Sequence, residues 1–245
     1  MAESPELSIR EPPTVLVPVR VLEGQSLSET LVEFLAPADV VVLGYHVLPE
    51  QTPTEQASMQ FEERARTAVA DIADVFETAG DAVETRVAFT HDRDQTVERV
   101  AGEVGATAVL LPNPAGDIEE VLVALRGVIN TDRLADLVAT LVAGGERVTV
   151  WGLGGDGFDA ATAVAAARET LLDRGLSGDQ LRTETTATET PVYDIIDRSP
   201  EFDAIVMGEG GETLLTQLFG DDAERVAEGA VAPVLVVRAA PEPPE

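Results

Sequence analysis

VLVALR, Val121 to Arg126, lies near the middle of a 245-residue chain, and its reading decides how that chain divides. It matches VLVPVR, Val15 to Arg20, near the start, and it also resembles VLVVR at 234–238 near the end. In the first reading it opens a second copy of the pattern that began at residue 14. In the second it is the last strand of the first half. The repeat reading is preferred, because the helix and strand that follow Arg126 need a first strand to start from.

On both sides of this stretch, apolar runs of strand length alternate with amphipathic stretches of helical period. The first half reads as strand 14–19, helix 27–35, strand 39–48, helix 61–80 closed by Gly80, strand 84–90, helix about 94–105 and strand 107–112. The second half reads as strand 121–126, helix 131–143, strand 147–153, helix 158–175, strand 181–188, short helix 192–197, strand 204–207, helix 213–229 and strand 234–238. Strand alternating with helix implies a parallel sheet covered on both faces, an α/β fold of Rossmann-like, doubly wound type. Only NPAGDIEE, 113–120, separates the fourth strand from VLVALR, too short for another helix, so the first half is truncated after its fourth strand. The expected domains are 14–118 and 119–238, flanked by a flexible N-terminal tail, 1–13, and an acidic, proline-rich tail, 239–245.

Composition limits the setting. The formal net charge is -29, there is no cysteine, and all 16 basic residues are arginine. Such self-repulsion is screened in molar salt, where the Debye length falls to about 3 Å, so the chain reads as a halophilic, acidic protein. Nucleic acid and anionic membranes are poor partners for it, since both require a basic face. With neither a leader-like start nor an apolar run of the roughly 18 residues a span needs, the expected location is the cytoplasm.

The halves resemble universal stress protein domains over residues 14–238. The most specific stretch is 207–238, MGEGGETLLTQLFGDDAERVAEGAVAPVLVVR, a glycine loop, a helix and a closing PVLVV strand; VLVPVR and YHVLPE are similar to the family's first and second strands. The resemblance implies a non-catalytic stress-response regulator that binds an adenine nucleotide, AMP or ATP, or else a protein-interaction pseudo-dimer that has lost its ligand. Nucleotide-binding members carry G-x-x-G, nine residues, then Gly-Ser or Gly-Thr. Backbone N–H groups and a hydroxyl then meet the phosphates. Here Gly208-x-x-Gly211 is followed by eight residues and then Gly220, with Asp221 in place of the hydroxyl. Glu209, Glu212, Asp221 and Asp222 add carboxylates. One carboxylate about 4 Å from a phosphate costs on the order of 4 kcal/mol at an effective dielectric near 20, so the loop reads as a remnant that favours few phosphates.

The relatives' aspartate at the end of the first strand is replaced by Arg20 in one half and Arg126 in the other. In the first half Pro112-Asn113-Pro114 stands where the glycine loop would start, and proline donates no N–H, so that half should bind no triphosphate in the family's manner. The resemblance therefore implies a single degenerate site in the second half: Arg126, Gly127, Gly208, Gly210, Gly211, Gly220 and Asp221. The competing reading is a dinucleotide site at Gly152-Leu153-Gly154-Gly155-Asp156-Gly157, which satisfies G-x-G-x-x-G, with Glu189 as ribose acceptor. Against it, the fingerprint belongs after the first strand of a unit, the place VLVALR holds.

Catalytic groups are scarce. Only His46 and His91 are present; the first reads as a packed strand residue, and Asp92 with Gln95 next to the second reads as a helix cap. No nucleophile, acid and base pair or metal cluster stands out, and no enzymatic activity is expected. The expected partners are proteins, a second copy of the chain or an adenine nucleotide.

Overall fold

A computed structural model describes residues 7–79, 83–127, 129–155, 157–208 and 220–239. In chain order the first half contains β1 (Thr14–Arg20), α1 (Glu29–Leu35), β2 (Asp39–Val47), α2 (Thr54–Ala79), β3 (Glu84–Thr90), α3 (Arg93–Glu103) and β4 (Ala108–Leu111). The second half contains β5 (Glu120–Leu125), α4 (Thr131–Leu141), β6 (Arg147–Gly154), α5 (Ala160–Asp173), β7 (Leu181–Ala187), α6 (Pro191–Arg198), β8 (Ala204–Gly208), α7 (Gly220–Gly229) and β9 (Val234–Val237). Four helices start where a short polar side chain accepts a backbone N–H that the first turn leaves unpaired: Ser28, Asp92, Asn130 and Asp159 bond Leu31, Gln95, Arg133 and Thr162 respectively. Helix α2 begins seven residues before the expected Phe61, because the polar 54–60 segment lacks the apolar period that marks the rest. Gly80, its expected stop, lies outside the described residues.

The nine strands form one sheet in the order β3-β2-β1-β4-β9-β8-β5-β6-β7. Every neighbouring pair is parallel except β4 and β9, which run antiparallel from Ala108↔Val237 to Leu111↔Val234. VLVALR is settled by its neighbours: β5 pairs in parallel with β6 and β8, both of the second half. Alternate residues of each strand serve the two faces. Val15, Val17, Val42, Val123, Val150 and Leu235 lie with α1, α2, α4 and α5 in one apolar layer. Leu16, Leu43, Leu122, Leu153, Ile205 and Val236 lie with α3, α6 and α7 in the other.

The junction at β9 positions everything that follows. Strand β9 is paired on both sides, with β8 in its own half and with β4 in the other, so four strands from the first half and five from the second share one ladder. The loop after β4 adds a latch. The Asn113 side-chain amide donates to the carbonyls of Ala227, Ala230 and Ala232 at 2.8, 3.3 and 3.0 Å, closing the C-terminal end of α7.

The expected loose N-terminal tail is corrected from residue 8 onward. The N–H groups of Arg10 and Glu11 donate to the Asp136 carboxylate at 3.1 and 3.3 Å, and that of Ser8 donates to the Arg174 carbonyl at 3.0 Å. Leu7 and Ile9 pack against the core. A buried carboxylate needing donors, together with two apolar side chains, ties down a segment whose composition reads as tail. Residues 1–6 and 240–245 lie outside the described residues.

Candidate functional site

In each half the chain leaves the first strand toward one side of the sheet, while the fourth strand lies on the other side. Helices α4 and α5 cover one face of the second half, and α6 and α7 cover the other. The crevice between such helices opens at the carboxyl ends of the strands, where this class of sheet binds ligands. The topology puts two such positions in this sheet, one at β5/β8 and one at β1/β4.

At the β5/β8 crevice, the register Ala124↔Met207 carries the chain to Arg126 and Gly127 beyond β5 and to Gly208 at the end of β8. Three of the expected site residues therefore share one rim. Gly220 opens α7, ahead of Asp221. Gly210 and Gly211 lie outside the described residues, as do the side chain of Asp221 and the expected helical segment from Thr213 to Phe219. The ground around Gly208 is occupied: a Cβ placed there would stand 3.0 Å from the Ile129 side chain. Gly127 is open, with nothing within 4 Å of such a Cβ.

The second glycine cluster is a packing device. A Cβ on Gly152 would stand 2.9 Å from the Ala160 carbonyl oxygen and 2.7 Å from the Val164 side chain, so the missing side chain is what lets α5 lie on β6. Gly157 has φ of +82°, the left-handed region that glycine enters without strain. The cluster starts in the last residues of β6, where Gly152 stands opposite Leu125 of β5, on the side of β5 away from β8.

The other candidates have structural surroundings. His46 makes edge-on contacts with Phe61 and Phe89, and His91 Nδ1 lies 3.3 Å from the Leu48 carbonyl oxygen. Asp92 caps α3 through the Gln95 N–H at 3.0 Å. Among the described residues no group of three His, Cys, Asp or Glu side chains is placed to hold a metal ion, and no helix is long and apolar enough to cross a membrane.

Sequence reasoning missed the β1/β4 crevice. An open cavity of about 470 Å³ lies there, lined by Arg20 and Pro18 from β1, Tyr45 from β2, Arg93 at the start of α3, Leu111 and Pro112 after β4, and Ala227 and Glu228 from α7. Arg20 pairs with Tyr45 across β1 and β2, and its Nε donates to the Tyr45 hydroxyl at 3.1 Å. Its Nη1 meets Glu23 at 3.4 Å. The hydrogen bond to Tyr45, reinforced by Glu23, raises the Arg20 pKa above its ordinary value, so the group is a permanent cation. The signal in the sequence was the arginine itself at the end of VLVPVR. Its surroundings were hidden, because α7 reaches this crevice only through the antiparallel placement of β9.

No protein-family model matches the chain, and no curated protein sequence matches it. Solved structures do. A universal stress protein from Archaeoglobus fulgidus DSM 4304 superposes with a TM-score of 0.65 at 16% identity, covering 96% of this chain and 99% of that one. A putative universal stress protein from Pseudomonas aeruginosa UCBPP-PA14 superposes with a TM-score of 0.53 at 16% identity, covering 94% of each chain. The superpositions run end to end: this chain has the fold of the universal stress proteins.

Proposed function

We propose that the chain is a non-catalytic regulatory protein of the universal stress type, and that the β5/β8 crevice is its adenine-nucleotide site. The observation that carries this reading is the convergence of Arg126, Gly127 and Gly208 on one rim at the crossover of the second half. Gly210, Gly211, Gly220 and Asp221 complete the site in this reading. The ligand is AMP or adenosine in preference to ATP, since the carboxylates at 209, 212, 221 and 222 oppose a polyphosphate in the absence of a cation. The test is titration calorimetry in molar salt without magnesium, on the native chain and on Gly208→Val. AMP binding at least as tight as ATP binding, lost in the variant, supports the reading. Tighter binding of ATP contradicts it.

One observation favours a second reading. Ile129 packs over Gly208, and the two halves already form a single sheet through β9, as a ligand-free pseudo-dimer built for protein interaction would. Absence of binding by both AMP and ATP in the same titration would select it.

A further inference from the structure

The β1/β4 crevice has a chemistry of its own, independent of the nucleotide site proposed for the other half. Its floor carries the guanidinium groups of Arg20 and Arg93, with the Glu23 carboxylate paired to Arg20. Its roof is anionic: the last turn of α7 brings Glu228 and the negative end of the helix dipole to the same opening. Between them lie the ring of Tyr45 and the apolar surfaces of Pro18, Leu111 and Ala227. Pro18 and Pro112 have no N–H to offer, and the Asn113 amide is committed to the carbonyls of Ala227 and Ala232. The guanidinium groups are the charged donors of the lining.

The charged groups of the lining balance, Arg20 and Arg93 against Glu23 and Glu228, and a ligand of zero net charge that carries both signs matches them. We propose that this crevice binds a small zwitterion, by class a free α-amino acid with an apolar side chain. Its carboxylate meets Arg20 and Arg93, its ammonium meets Glu228 and the carbonyl end of α7, and its side chain lies against Tyr45 and Leu111. The site is composite, since the second half supplies its anionic wall. Occupancy would thus be sensed at the junction between the halves.

The test separates the charges of the ligand. L-leucine, isocaproate and isoamylamine share a skeleton and carry both charges, the anion alone and the cation alone. In calorimetry at molar potassium chloride, L-leucine should bind at least about tenfold more tightly than either analogue, the scale of one charge-assisted hydrogen bond. Arg20→Gln and Arg93→Gln should each weaken leucine by a similar factor while circular dichroism shows the fold retained. Glu228→Gln should weaken leucine and leave isocaproate unchanged. Gly208→Val, which addresses the other crevice, should leave leucine binding intact. Equal binding of isocaproate and leucine, no leucine binding, or leucine binding indifferent to Arg20→Gln would overturn the proposal. So would displacement of leucine by AMP.

Discussion

Arg174 is an arginine only 2% exposed, held between Asp136, itself 3% exposed, and Asp132. Burial on its own would lower its pKa, but the hydrogen bonds and charges of Asp136 and Asp132 more than reverse that and raise it. The same Asp136 carboxylate receives the N–H groups of Arg10 and Glu11, so one side chain joins α4, the end of α5 and the segment leading into β1. Replacing it leaves the buried Arg174 with Asp132 alone and takes the acceptor from two backbone donors. Asp136→Ala should cost about 3–5 kcal/mol, as expected for breaking a buried pair from one side. Denaturant unfolding at fixed molar salt measures this, and a loss below about 1 kcal/mol would show the pair to be solvated. Nothing in the local sequence marks Arg174, which follows LLD at a helix end where an exposed arginine is ordinary. The cap at Asp92 was legible because its bond is made within three residues; the partners of Arg174 lie 38 and 42 residues away.

Strand β9 is the element on which the architecture turns. The sequence showed a strand at 234–238 and a first half lacking its fifth, but which strand would lie against the free side of β4 depends on how two layers of helices pack. No local pattern encodes that. The Asn113 latch belongs to the same junction. Asn113→Ala leaves three carbonyls at the end of α7 without their donor and should cost about 1–3 kcal/mol, with faster hydrogen exchange in Val226 to Ala230. Unchanged exchange there would assign the ordering of α7 to the β4–β9 ladder alone. The candidate site was legible in proportion to its dependence on strand ends. The repeat was enough to put Arg126, Gly127 and Gly208 at the ends of neighbouring strands, whereas the composite crevice in the first half required knowing where α7 ends.

At the scale of the whole molecule, charge and topology set the behaviour. Several ion pairs among the described residues join exposed partners, Arg66 with Glu62 and Arg99 with Glu103 among them, and such pairs contribute about 0–1 kcal/mol each. They do not offset the self-repulsion of 29 excess negative charges at low ionic strength, where the Debye length is about 30 Å at 0.01 M. The fold should therefore be lost as salt is removed, followed by circular dichroism across a salt titration; full folding at a few millimolar salt would contradict this. Topology bears on association. Because β9 is paired on both edges, its ladder is unavailable to a second chain, and β3 and β7 are the outer strands of the sheet. One chain closes this junction on itself, and the nucleotide site proposed above is a single crevice, in the second half. Native mass spectrometry from concentrated volatile salt, with AMP added, reads both at once. The prediction is a monomer carrying one AMP, with none retained by Gly208→Val; a dimer, or two AMP molecules per chain, would contradict it.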